Sequence, residues 1–352
     1  MTRISLALPL TLLALTTGCV DDASDLGSDT AGIIVKDGNN DPCPKLGCGT
    51  NSAHVGPAEF HELDESGVLA NAEGFRIDHF EKNGLHYKLD VTGTTLTGKL
   101  YWFGSWVTAL SGSNLVGSKI MVLGPPNDTM YEIRIENVAS QQMWQAPLVA
   151  IETYELTWRF PGQNFAGPPP RVCVNPPNRK EGEQQLWNSV TEAILFTGDR
   201  YDTSALTVDS VGPSSWFNIA CAGTVMAKLA LNRHTEATET ASFPTTKAKR
   251  QAMMKMYTSD VCGNGDPLTV TGTPLRWWST TGMASPAISY NTMEARWDEN
   301  GAQCLDVHRL HGSANDMTTQ ITASCAEAGR PVPPPCSVRS PGYDFRTASP
   351  AL

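Results

Sequence analysis

Between Leu85 and Phe160 the chain repeatedly alternates apolar and polar residues with a period of two, which confines this region to half-buried antiparallel strands. The runs are Leu85-His86-Tyr87-Lys88-Leu89-Asp90-Val91, Leu96 to Trp102, Met130 to Ile135, and Tyr154 to Phe160. Gly93-Thr94-Thr95, Gly117-Ser118 and Pro125-Pro126-Asn127-Asp128 supply turn residues between them. Residues 55–165 therefore read as a β-rich domain, an antiparallel sandwich or barrel-like sheet.

A proline-rich seam follows, with Pro161, Pro168-Pro169-Pro170 and Pro176-Pro177, and beyond it helical spacing enters. Ser215 is placed to cap a helix from Trp216 to about Leu231, with Trp216, Ile219, Ala220, Gly223, Met226 and Ala230 on one face. Thr245 or Thr246 is placed to cap a second helix striped by Ala248, Ala252, Met253, Met256 and Tyr257. Leu275–Trp278 and Glu294–Trp297 read as strands, and Asp298-Glu299-Asn300-Gly301 as a hairpin turn into Cys304. The expected fold class is thus α+β and β-rich: the sheet domain, then a disulfide-stapled α+β domain over 171–330 and an irregular Pro-rich tail over 331–352.

Nine cysteines is an odd number for an exported chain. Residues 1–18 carry one charge, Arg3, then an apolar centre and a small-residue exit, the pattern of a secretory signal peptide. Leu15-Thr16-Thr17-Gly18-Cys19 resembles a bacterial lipobox with its leucine shifted by one position. Lipidation at Cys19 leaves Cys43, Cys48, Cys173, Cys221, Cys262, Cys304, Cys325 and Cys336 to pair as disulfides, Cys43 with Cys48 as the expected single pair and the other six not connected from sequence. The rival is an ordinary signal peptide with a loose thiol at Cys19. Residues 19–54, rich in Asp, Gly, Ser and Asn, read as a flexible lipid-anchored tether with a short Cys loop.

The formal charge of −10 becomes −11 once Arg3 leaves with the leader, which argues against nucleic acid as a partner. No Gly-x-Ser-x-Gly elbow, Ser-x-x-Lys, His-Glu-x-x-His or phosphate-binding Gly-rich loop occurs. Cys304-x-x-x-His308-x-x-His311 has metal-like spacing, but a strand would not bring the three to one face, and no metal or cofactor is expected. His61, His79 and His86 read as isolated surface or satisfied histidines. Trp277, Trp278 and Trp297 form either a stacking platform for a ligand such as a glycan or ordinary core packing. Asp260 is either an ion-pair partner of Lys228 or an acid catalyst.

Gly198–Asp202, Trp216-Phe217-Asn218-Ile219-Ala220-Cys221-Ala222-Gly223, Thr258-Ser259-Asp260-Val261-Cys262-Gly263-Asn264-Gly265 and Glu294–Cys304 follow one another in an order that resembles the ADYC domain. That family occurs in exported proteins of myxobacteria and related Gram-negative bacteria. Its eponymous Ala-Asp-Tyr-Cys is Ser259-Asp260-Val261-Cys262 here, and the resemblance spans roughly 173–310. It implies an exported protein and no particular reaction. The expected function is a cell-envelope lipoprotein, anchored in the outer membrane, that serves as a structural or binding module for an envelope protein or glycan. The alternative is a secreted hydrolase acting on wall or exopolysaccharide material, with Asp260 and Glu294 as its carboxylates.

Overall fold

A computed structural model describes residues 30–31, 53–56, 58–145, 148–163, 167–173, 192–202, 205–209, 215–240, 244–269, 273–280, 292–310, 317–336 and 343–349. The leader, Cys19, Cys43, Cys48, His311 and most of the expected tether lie outside the described residues.

The fold is α+β and β-rich, and one ten-stranded antiparallel sheet dominates it. Its strands are β1 (Glu62–Asp64), β2 (Arg76–Lys82), β3 (Leu85–Thr92), β4 (Thr95–Trp102), β5 (Ser105–Ser111), β6 (Lys119–Gly124), β7 (Thr129–Gln142), β8 (Ala150–Arg159), β9 (Glu192–Thr197) and β10 (Trp216–Cys221). They lie in the order β1-β10-β9-β8-β7-β6-β2-β3-β4-β5. The period-two runs fall within strands, except that Phe160 lies one residue past the end of β8. Register shifts at Ile77/His79, Gly98/Lys99 and Ile135/Asn137 bend the sheet. It curls far enough for Leu96 N–H to donate to Tyr154 Oη at 2.9 Å and for Thr197 N–H to reach Gly93 O at 3.0 Å. It does not close into a barrel: β1 and β5 remain its edges.

The sheet continues across the proline-rich seam. Tyr154 on β8 pairs with Ala193 on β9, and β9 pairs in turn with β10. Strands expected in two domains therefore share one sheet. Ala193, Leu195, Phe217 and Ile219 point into the core of the curled sheet, whereas Ile194, Phe196 and Ala220 point into a second core beneath the helices.

This double burial corrects the helix expected from Trp216. All six residues of β10 are buried, so the apolar run carries no one-sided period to separate strand from helix. The helix, α1, begins only at Val225 and ends at Leu231, after Gly223 has turned the chain at φ +89° and Thr224 has capped it by accepting from Ala227 N–H. The next helix, α2 (Lys247–Thr258), is capped by Thr246.

A four-stranded antiparallel sheet completes the second core with α3 (Met317–Glu327). Its strands are β11 (Arg276–Ser279), β12 (Thr292–Asp298), β13 (Gly301–Leu305) and β14 (Phe345–Ser349), in the order β11-β14-β12-β13. The strand β14 corrects the expectation of an irregular tail. Phe345 and Thr347 are buried while Arg346 between them is exposed, a pleated pattern that the neighbouring prolines obscure.

Three cysteine pairs join these parts: Cys173–Cys221, Cys262–Cys325 and Cys304–Cys336, with Cα separations of 5.5, 4.9 and 4.8 Å. The first ties the proline-rich seam, at Cys173, to the end of β10. The second ties the turn after α2 to α3.

Candidate functional site

The far ends of β4 and β5 run on as a two-stranded finger past Lys88↔Lys99, the last pairing of β3 with β4. Tyr101 pairs with Trp106 and Trp102 with Ser105, leaving Phe103-Gly104 as a two-residue turn. Both turn residues have positive φ, 44° and 85°, the mirror-image turn that suits the twist of a hairpin. A phenylalanine rarely adopts that backbone, and a bulky residue held there is a mark of sites kept for function. Phe103 is 92% exposed, and Tyr101 and Trp102 are each 62% exposed.

The two faces of the finger differ. Tyr101 and Trp106 meet edge to face with ring centroids 5.3 Å apart, and Lys88 Nζ lies 5.7 Å from the Trp106 ring. On the other face stand Trp102 and Val107, and Trp102 contacts Phe103 at 4.9 Å. The edge strand β5, Ser-Trp-Val-Thr-Ala-Leu-Ser, is exposed at every residue but Leu110 and contains neither a charge nor a proline. Proteins ordinarily guard such edges with lysine, proline or a covering loop, because an open edge offers its backbone hydrogen bonds to another chain. Aromatic rings beside an open edge make a surface able to dock a partner strand.

The residues singled out from sequence lie elsewhere. Glu294 is fully buried on β12, where Arg309 Nε donates to Oε1 at 2.6 Å and Nη2 to Oε2 at 3.0 Å. Burial alone would raise this carboxyl, but the charge and hydrogen bonds of Arg309 outweigh it and hold the group below the ordinary range. Asp260 is fully buried as well, and its partner is Lys255 at 2.6 Å, not the Lys228 expected from sequence. Gly265 N–H donates to the same oxygen at 2.8 Å. Trp277 and Trp297 are fully buried, so the three indoles do not present one exposed face; Trp278 is half-buried beside the guanidinium groups of Arg276 and Arg346. Cys304 is bonded to Cys336, and His308 Nε2 lies 3.0 Å from Ser259 Oγ, so these two do not form the metal-like set suggested by their spacing.

Half-buried Glu65 and buried His234 also depart from their usual values. Burial pushes the Glu65 carboxyl up to about 7 near the base of the finger, although Val91 N–H donates to it at 2.8 Å. His234 is fully buried, its Nδ1 3.1 Å from Thr245 Oγ1, and desolvation pushes it down to about 3.

The finger went unrecognised as a site in sequence because its aromatics obey the same period-two alternation as core strands. The one available signal was Phe103-Gly104 between flanking aromatics, a turn that had no packing reason to be so apolar.

Comparison with known protein families matches residues 112–311 to the ADYC domain, more than half of the chain. The match begins ahead of the seam and takes in β6, β7 and β8, while β1 to β5 precede it. No curated protein and no solved structure matches.

Proposed function

This chain belongs to the ADYC domain family, and from that premise we propose that it is a cell-envelope lipoprotein whose folded body binds an envelope protein through the aromatic finger. The carrying observation is the exposed cluster Tyr101, Trp102, Phe103 and Trp106 beside the uncharged edge β5. An apolar surface of this kind is costly to leave in water, and a strand added to β5 would cover it while satisfying the open backbone groups. Disulfide pairing supports an oxidising, exported location. The leader and Cys19 support attachment by lipid, with the Asp-rich segment after Cys19 serving as a tether from the outer membrane. The hydrolase alternative is less well supported, because Asp260 and Glu294, the carboxylates offered for it, are committed to buried ion pairs.

The binding test uses full-length protein with a photo-crosslinking residue at Trp106, exposed to envelope extract and to purified envelope glycan. Crosslinks to one envelope protein are expected, abolished by Val107→Lys and by Trp102→Ser with Phe103→Ser. Retention on glycan with no protein crosslink, or crosslinks indifferent to these substitutions, overturns the assignment. For the anchor, Cys19→Ser is expected to leave the membrane fraction and lose the acyl mass. Wild-type protein with an unmodified residue 19 would refute it.

A further inference from the structure

At the opposite edge of the sheet from the finger, three potential metal ligands converge beside β1. Glu59 and His61 are two residues apart on an extended segment, so they project to the same side. Glu73 reaches them from the turn before β2. Asn71 fixes that turn: its backbone N–H donates to Phe75 O, its carboxamide nitrogen to Glu62 O at 3.1 Å, and its side-chain oxygen accepts from Phe75 N–H at 2.7 Å. Ile219 N–H donates to His61 O at 2.7 Å and ties the histidine backbone to β10. One donor atom from each of Glu59, His61 and Glu73 lies within 4.8 Å of the other two.

His61 is only 7% exposed, yet its Nδ1 has no hydrogen-bond partner, and the nearest carboxylate oxygen, Glu59 Oε2, is 3.9 Å away. Glu73 Oε2 is likewise buried without a hydrogen bond. A buried polar atom left unsatisfied costs roughly 1–3 kcal/mol, and a native fold rarely keeps two side by side without a use for them. We propose that Glu59, His61 and Glu73 form a binding site for one divalent transition-metal ion of zinc type.

The donor set selects the ion. An imidazole among carboxylates disfavours calcium and magnesium, which prefer all-oxygen shells, and suits zinc and its neighbours. Donors bound to one such ion stand about 3–4 Å apart, so the three atoms need only a side-chain adjustment to share it. Three protein ligands leave a fourth position for water or for a ligand from outside. The adjacent Glu62 is not a competitor: Arg200 holds it in a two-point ion pair while stacking on Trp216 at 3.8 Å.

In a second cluster, the donor atoms of His79, Glu81 and His86 also lie within 4.8 Å of one another. Two of its groups already have partners, since Lys119 Nζ lies 3.3 Å from Glu81 and Asp78 lies 2.6 Å from His79 Nδ1. It serves as the control.

The experiment uses the full-length protein, purified without a histidine tag and stripped with chelator. Titration with Zn2+ by calorimetry and with Co2+ by visible absorption is expected to show one equivalent bound, the cobalt complex being coloured. Glu73→Gln is expected to weaken binding at least tenfold, and His61→Ala to remove the colour, while His86→Ala changes neither. Far-ultraviolet circular dichroism and a thermal melt of each metal-free variant establish that it folds. Should His61→Ala unfold, Glu73→Gln decides alone. No binding at high micromolar metal, or binding lost with His86→Ala but kept by Glu73→Gln, overturns the proposal.

Discussion

Arg309 grips both carboxylate oxygens of Glu294 within a core where neither side chain has any exposed surface. The guanidinium also donates to Met256 O at 2.9 Å, so one ion pair joins β12 to the end of α2. A carboxylate this committed is a structural element. Its removal leaves a buried charge without a partner, a cost of about 3–5 kcal/mol.

Glu294→Gln and Arg309→Met are each expected to lower the unfolding free energy by about that amount. The double variant Glu294→Leu with Arg309→Met is expected to recover part of the loss, because two apolar groups need no pairing. Urea unfolding of the three variants checks this. A Glu294→Gln protein of wild-type stability would contradict the structural role.

Gly301 makes a sharper steric prediction. Its φ is +117°, and an added Cβ would stand 2.7 Å from Val261 O. Gly301→Ala is expected to cost about 2–3 kcal/mol, combining strain with a backbone clash. Gly84, at φ +75° in an open turn, would meet nothing within 4 Å. Gly84→Ala is expected to cost no more than ~1 kcal/mol in the same assay.

His234 should impose an acid-side loss of stability. Its value in the folded protein, about 3, lies below the unfolded 6.5, so the unfolded chain binds the proton more readily. The contribution is fully present above pH 6.5 and declines as pH falls from there toward 3, at no more than ~1.4 kcal/mol per pH unit. The stability difference between wild type and His234→Phe, followed from pH 7.5 to 4, is expected to shift in favour of the variant as pH drops. A constant difference would refute it.

The three described disulfides predict that alkylation under denaturing, non-reducing conditions labels none of Cys173, Cys221, Cys262, Cys304, Cys325 or Cys336. Cys262→Ala with Cys325→Ala is expected to lose about 2–5 kcal/mol, because the bridge closes a 63-residue separation in the unfolded chain. Mass spectrometry and thermal unfolding give the two readouts.

Much of the sheet was legible because strands with one wet face announce themselves by alternation. Legibility failed where that asymmetry vanished. At Trp216–Cys221 both faces are covered, so strand and helix leave the same apolar run. At Phe345–Ser349 a strand of correct pattern was hidden by proline-rich surroundings. The finger failed for a different reason: periodicity reports which residues share a face, not whether anything covers it. The partner of Asp260 is Lys255, five residues before it, and only the left-handed residue Ser259 at the end of α2 folds the chain back to bring them together. Glu59, His61 and Glu73 meet through the turn fixed by Asn71, a meeting that no local spacing encodes.

The place of β14 between β11 and β12 also sets a timetable. β11 is made first, and residues 280–344 must follow before its neighbour exists. At ~5–20 residues per second, synthesis leaves Trp277 and Trp297 waiting several seconds for the strand that completes their sheet. The helical half of the molecule therefore finishes late, when its last strand arrives.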